Sequence, residues 1–368
     1  MPADHAARRQ SLRGLVVEND PSADAILITD LLNVRYLTGF TGSNAALLVH
    51  AGDSQAVEDR TVICTDGRYL TQVAEQVPDL RAEIDRASAR KLLEVADTAG
   101  DKAIGYESHV VTVDQHRGLT DGFGGELRRM PGLVERLRMV KDEFEIELLR
   151  EACAAADTAL ADLIGGGGIR PGRTEREVAR ELEFLMLERG ADDVSFETIV
   201  ATGANSAIPH HRPTDALLAT GDFVKLDFGA TVAGYHSDMT RTYVLEAATD
   251  WHRDVYGLVA RAQAAGRAAL VPGAAVADVD AAARAVIVDA GFGELFLHGL
   301  GHGVGLEIHE APGIGQAGTG TLLTGAAVTV EPGVYFSGRG GVRIEDTLVV
   351  REQGPELLTL TSKDLTVL

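Results

Sequence analysis

The sequence predicts an α+β protein in two parts: a small α/β unit, then a larger one built from a repeated helix-pair-then-strand pattern. Three observations predict it. Short apolar runs alternate with helical patterns through the first third of the 368 residues. A helix, a Pro-Gly break and a second helix occur twice, about a hundred residues apart. Each helix pair is followed by strand-like segments that carry a facing pair of acidic residues.

In chain order, residues 8–19 read as a short amphipathic helix. Ala25–Ile28, Ala45–Val49 and Thr61–Cys64 read as buried strands, each bounded by turn residues. Asp66 opens a helix, and the alternation continues to a turn at Gly122-Phe-Gly-Gly-Glu126. The first domain is therefore expected to span 1–133 and the second 134–368. A helical pattern from Asp142 to Leu163 meets Arg170-Pro171-Gly172, and Thr174 and Glu177 are spaced as a capping box for the next helix. The order recurs as a helix over 250–270, then Val271-Pro272-Gly273, then a helix to Ala290. Two αα-then-β halves packed about a pseudo-twofold axis would bring one acidic hairpin from each half to their junction.

The first hairpin runs from Val224 to Tyr243 and the second from Val328 to Asp346. Folded about their glycine-containing turns, they are expected to place Asp227 roughly opposite Asp238 and Glu331 roughly opposite Glu345. Like charges facing each other across a strand pair are destabilising. At about 4 Å and an effective dielectric near 20, each pair would cost about 4 kcal/mol. The surroundings of Asp227 (Val-Lys-Leu-Asp-Phe-Gly) and Glu331 (Val-Thr-Val-Glu-Pro-Gly) are apolar, where an unpaired carboxylate is costly. Two divalent cations would balance the four charges, and a set of hard oxygen donors favours Mn, Mg or Co over thiolate-loving metals.

Nitrogen would come from the segment His298-Gly-Leu-Gly-His302-Gly-Val-Gly-Leu-Glu-Ile-His309, whose glycine density argues for loop and strand. Six of the eleven histidines (210, 211, 236, 298, 302 and 309) fall beside the hairpins. His211 and His236 are expected to be ordinary satisfied polar residues, since nothing singles them out. No GxxxxGK[ST] motif is present, and Gly301–Gly305 does not fit GxGxxG.

Composition excludes other classes. Hydrophobic residues make up 45% and charged residues 24%, as in an ordinary soluble globular protein. The net charge of −21 argues against nucleic-acid and anionic-membrane partners. Cys64 and Cys153 match no zinc or redox spacing and are expected to be reduced core thiols. No apolar run approaches a membrane span, and Met1 to Asp20 has no signal-peptide core, so the cytoplasm is the expected location.

With these motifs in view, the chain resembles the pita-bread metallopeptidase family, in the branch of Xaa-Pro aminopeptidases and Xaa-Pro dipeptidases (prolidases). The segments that carry the likeness are Asn33–Asn44, Thr65–Tyr69, Arg138–Ile146, Phe196–His210 and the ordered set Asp, Asp, His, Glu, Glu. The resemblance implies a pita-bread (creatinase/aminopeptidase) catalytic domain behind a smaller α/β creatinase-like N-terminal domain. It implies that Asp227 binds one metal, that His302 and Glu331 bind the other, and that Asp238 and Glu345 bridge both. It implies a metal-activated water as nucleophile, Glu331 handling that water's proton, and His210 and His309 on the substrate side. His298 and Arg343 match positions that support the ligands or line the substrate pocket. The resemblance also implies two divalent ions, Mn(II) first, with Co(II) or Zn(II) as alternatives, a homodimer, and proline-containing peptides as substrates. Several dipeptide-specific relatives carry an Arg just after the HExP of this loop. Here Gly313 stands in that place, which tilts the expectation toward an Xaa-Pro aminopeptidase, with the Xaa-Pro dipeptidase as the alternative. Methionine aminopeptidases lack a first domain of this size, creatinase-type and non-enzymatic relatives have lost the ligand set, and a two-metal phosphoesterase would need a Lys/Arg cluster near the acids.

Overall fold

The computed structural model describes residues 3–368 and divides into two compact units, one ending at Arg138 and the other running from Met139 to Leu368. The division falls five residues beyond the expected boundary at 133 (138 − 133), because the segment after it forms a helix, Leu133–Arg138, that stays with the first unit.

In the first unit the helices are α1 (His5–Asn19), α2 (Leu31–Thr38), α3 (Gln55–Glu58), α4 (Leu70–Gln76), α5 (Ser88–Ala99), α6 (Val113–Thr120) and α7 (Leu133–Arg138). The strands are β1 (Ala25–Ile28), β2 (Ala45–His50), β3 (Val62–Thr65), β4 (Arg81–Ile84), β5 (Ala103–Tyr106) and β6 (Glu126–Arg129). They form one sheet in the order β4-β3-β2-β1-β5-β6, in which β2 runs antiparallel to both its neighbours. The strands read from apolar runs are β1, β2 and β3, each buried along its whole length. Both cysteines are free and buried.

The second unit is the repeat made physical. Its first half has α8 (Glu143–Gly165) and α9 (Glu175–Glu188), followed by β7 (Asp193–Val194), β8 (Ile199–Thr202), β9 (Phe223–Phe228), β10 (Ala230–Val232), β11 (Tyr235–His236) and β12 (Met239–Val244). Its second half has α10 (Asp250–Ala268) and α11 (Val276–Asp289). These precede β13 (Gly301–Gly303), β14 (Glu310–Ile314), β15 (Ala327–Val330), β16 (Gly333–Phe336), β17 (Gly340–Arg343), β18 (Asp346–Val349) and β19 (Glu356–Leu357). Thr174 and Glu177 make the reciprocal capping bonds that their spacing predicts.

Each half has its own core. Leu160, Leu163, Val178 and Leu182 of the first helix pair pack with Val224, Leu226 and Phe228 of β9. Val259, Ala262, Val279 and Ala283 of the second pair pack with Val328 and Val330 of β15. Side chains alternate across a strand, so Lys225 and Asp227 on β9, and Thr329 and Glu331 at the end of β15, turn away from their helices. That alternation puts the acids on the side opposite the helical layer in both halves. Among the described residues, no helix is long and apolar enough to cross a membrane.

Candidate metal centre and its cavity

The second hairpin has the expected register. β15 pairs with β18 so that Val330 faces Asp346, β16 pairs with β17 so that Gly333 faces Arg343, and the same register sets Glu331 against Glu345 between them. The first hairpin differs by two residues: Asp227 faces Thr240, not Asp238. Its turn explains the shift. Ala233 and Gly234 both have positive φ, at 46° and 78°, and form a two-residue turn that closes Val232 against Tyr235. The tight turn fixes the register of the whole ladder. Asp238 then lies diagonal to Asp227 on the same face, still within reach across the pair.

Asp238, His302 and Glu345 form a cluster whose ligand-type atoms all lie within 4.8 Å of one another. His302 is on β13, and its Nε2 stands 3.5 Å from both Asp238 Oδ2 and Glu331 Oε1. Its Nδ1 lies 3.0 Å from the Gly303 carbonyl, which can only accept, so Nδ1 carries the proton and Nε2 offers a lone pair to the acids. A glycine precedes His302 for steric reasons, since a Cβ at Gly301 would sit 2.0 Å from the Thr329 carbonyl oxygen. Asp227 is paired through Oδ2 with Arg343, while its Oδ1 is buried with no hydrogen-bond partner. Glu345 Oε2 accepts from Thr240 Oγ1 at 2.7 Å, and the Thr347 hydroxyl donates to the Asp238 carbonyl at 2.8 Å. A threonine of each half thus braces the acidic strand of the other.

Burial pushes Asp238 and Glu345 well above the usual carboxylate range, reinforced in each case by the neighbouring acids. Burial also raises Glu331 to about 8, against the opposing charge of Arg343. His302 is pushed down to about 4, again chiefly by burial. An orphaned buried carboxylate oxygen, three acids disfavoured as anions and a neutral imidazole aimed at two of them fit divalent cations bound by oxygen with one nitrogen. Cations there would be held by Asp227, Asp238, His302, Glu331 and Glu345.

The five residues line a cavity of about 300 Å³ together with His210, His309, Phe196 and Ile308. His210 and His309 are exposed at its wall, and the His309 ring lies edge-to-face on His302 with centroids 4.5 Å apart. His298 lines an adjoining cavity with His210 and Arg343. Its Nδ1 donates to the Gly299 carbonyl at 2.8 Å, and its Nε2 meets the Tyr335 hydroxyl at 2.8 Å. Burial and then Arg343 hold its pKa down to about 4. Arg343 is 2% exposed and fully engaged. It contacts Asp227, donates to Tyr335 Oη at 2.8 Å and to the Pro209 carbonyl at 3.2 Å, and reaches Thr240 Oγ1 at 3.0 Å. His211 and His236 are the satisfied polar residues they were expected to be, bonded to Glu175 and Ser195.

Sequence reading missed Lys225. It is fully buried, and its Nζ donates to the carbonyls of Ile208 at 2.7 Å and Pro209 at 3.3 Å, immediately before His210. Burial and then the Arg343 charge hold its pKa well below the ordinary lysine value. A signal was available: a lysine two residues before Asp227 in a strand shares its face. Tyr335 and Thr240, which hold Arg343 and Glu345, carried no such signal.

Comparison with known proteins places this geometry. The model of metallopeptidase family M24 matches residues 147–352, and that of the creatinase/prolidase N-terminal domain matches residues 8–140. The chain is 34% identical over 354 residues to the Xaa-Pro dipeptidase of Pyrococcus horikoshii, covering 94% of this chain and 95% of that one. Among solved structures, an Xaa-Pro dipeptidase from Bacillus anthracis superposes with a TM-score of 0.93 at 36% identity, covering 99% and 100% of the two chains. An X-Pro aminopeptidase from Thermotoga maritima does so with a TM-score of 0.87 at 33% identity, covering 98% and 99%.

Proposed function

The chain belongs to metallopeptidase family M24, and from that premise we propose that it hydrolyses the peptide bond preceding proline in short peptides, dipeptides included. The observation that carries the reading is the cluster of Asp238, His302 and Glu345, flanked by Asp227 and Glu331, at the floor of a cavity walled by His210 and His309. Two divalent cations, Mn(II) first because the donors are mostly carboxylate oxygens, would supply an activated water and charge stabilisation.

The remaining steps belong to the chain. A bond preceding proline has no N–H, so the cavity needs no acceptor at that point. Phe196, Ile199 and Ile308 offer apolar wall for the ring. His210 and His309, both at the cavity wall, would hold the scissile carbonyl oxygen and the leaving nitrogen. Proline leaves as an amine that must gain a proton, and Glu331, which lines the cavity, would take one from the attacking water and return it there. The floor of acids suits the free ammonium of the first residue. Relatives described as Xaa-Pro dipeptidases support acceptance of dipeptides. Gly313 and the Thermotoga X-Pro aminopeptidase support a second reading, the Xaa-Pro aminopeptidase acting on longer peptides. A homodimer in the cytoplasm belongs to the same proposal, and the two unpaired buried thiols are in keeping with a reducing compartment.

The test is alanine release from Ala-Pro, Ala-Pro-Ala-Ala and Ala-Ala after Mn(II) loading. Cleavage of Ala-Pro with little cleavage of Ala-Ala is expected. Equal rates on Ala-Pro and Ala-Ala would overturn the preference for proline, and the tetrapeptide decides between the two readings.

A further inference from the structure

A Xaa-Pro dipeptide differs from a longer peptide in one charged group, the carboxylate beside the proline ring. With its acids balanced by their own cations the cavity floor has no positive charge to spare, so a carboxylate that leaves water for this cavity needs a cation of its own. Among the described residues lining the cavity, Arg212 is the one lysine or arginine. Arg343 lies at the neighbouring cavity but is buried and already engaged on every side of its guanidinium. Arg212 is different. Its side chain is 82% exposed, and its Nε meets Glu197, itself 61% exposed, at 3.0 Å. A solvated pair of this kind is weak, so a substrate carboxylate can exchange with Glu197 at low cost.

The backbone that carries Arg212 is fixed on both sides. His211 Nε2 bonds the carboxylate of Glu175 at 2.8 Å, and Thr214 N donates to the same oxygen at 2.9 Å. Glu175 is wholly buried at the start of α9 and also receives Thr202 N and Asn205 Nδ2, each at 2.9 Å. On the other side, Lys225 and Arg343 hold the Ile208 and Pro209 carbonyls. The segment from Ile208 to Thr214 is therefore a rigid rim that presents His210 and Arg212 to the same cavity.

We propose that Arg212 is a specificity-determining residue that binds the free carboxylate of a Xaa-Pro dipeptide, with Glu197 as the counter-ion it releases. A planar guanidinium suits a carboxylate bidentately, and this is a geometry that lysine does not reproduce. The inference rests on the Xaa-Pro reading above and adds to it the group that recognises the far side of the proline.

The experiment uses the full-length Mn(II)-loaded protein and the matched substrates Ala-Pro and Ala-Pro amide, which differ only in that carboxylate. Arg212→Gln is expected to raise KM for Ala-Pro by about 10- to 100-fold, the size of a lost charge-assisted hydrogen bond, and to leave the amide unchanged. Arg212→Lys is expected to fall between, and Glu197→Gln to lower KM for Ala-Pro alone. In the unaltered protein, proline should inhibit more strongly than prolinamide, which tests the proposal without any variant. Equal effects of Arg212→Gln on acid and amide, no effect on either, or equal inhibition by proline and prolinamide would overturn it. Failure of the unaltered protein to cleave either substrate would instead bring down the Xaa-Pro reading, and this inference with it.

Discussion

The two halves of the second unit solve one problem with different parts. In the first, β9 reads Val-Lys-Leu-Asp and offers Lys225 and Asp227 to the interior. In the second, β15 and the residue after it read Val-Thr-Val-Glu and offer Thr329 and Glu331. Both strands bury the alternate apolar residues against a helix pair. The first half therefore brings a cation to the site and the second brings a hydroxyl and, from β13, an imidazole. The registers differ too: a tight turn offsets Asp227 from Asp238, while Glu331 and Glu345 fall in register. The comparison teaches that pseudo-symmetry conserves where acids stand, while the residues around them divide the labour. The first half steadies the segment before His210 through Lys225, and the second supplies the neutral nitrogen.

The largest expected effect comes from deleting one acid in each half. Asp227→Ala and Glu331→Ala should each lower kcat/KM by about 10³-fold and reduce bound metal, with circular dichroism unchanged. If either variant kept full activity, the halves would not be contributing to one centre.

Next in size is the pH dependence of stability in chelator. Glu331 is raised from 4.5 to about 8, so its stabilising contribution is present below pH 4.5 and is lost as pH rises through about 8. His298 and His302 are lowered from 6.5 to about 4, so theirs is present above pH 6.5 and is lost as pH falls through about 4. Between pH 6.5 and 8 the histidines are silent, and Glu331 should cost the chelated protein about 2 kcal/mol across that interval, with Asp238 and Glu345 acting in the same direction and the buried Lys225 in the opposite one. Denaturant unfolding with and without Mn(II) checks this. Metal replaces the protons on the acids, so stability should fall more steeply with pH in chelator than with Mn(II), and the reverse order would contradict the assignment.

Thr240→Val should weaken metal binding by about 10- to 100-fold through the lost bond to Glu345. Thr347→Val should do less, because it bonds a backbone carbonyl instead of a carboxylate. Titration calorimetry would sharpen or erase that difference between the halves. Smallest is Lys225→Met, expected to lower kcat about tenfold by loosening the His210 loop while metal content stays the same. A loss of metal there would assign Lys225 to the centre and not to the loop.

Much of this was legible in the sequence. Four-residue apolar runs announced β1 and β3, and Thr174 with Glu177 announced α9. The four acids and His302 pointed to one cluster, and the fold does bring Asp238, His302 and Glu345 together. The register of the first hairpin was not legible from its acids. It was written in Ala233-Gly234, where a turn preference outweighs charge placement. Arg343 was found, but its complete commitment to Asp227, Tyr335, Thr240 and Pro209 depends on chain segments more than a hundred residues apart, such as Pro209 and Arg343 (343 − 209 = 134). Arg212 carried no motif at all. Only the fold brings an exposed arginine to the rim of an acidic cavity.

The crossed threonines have a consequence for how the molecule opens. Since Thr240 holds Glu345 and Thr347 holds the Asp238 carbonyl, neither half can loosen its central strands without releasing the other's. Backbone amides of β9, β12, β15 and β18 should therefore exchange with deuterium as one cooperative block, although their strands come from opposite ends of a long stretch of sequence.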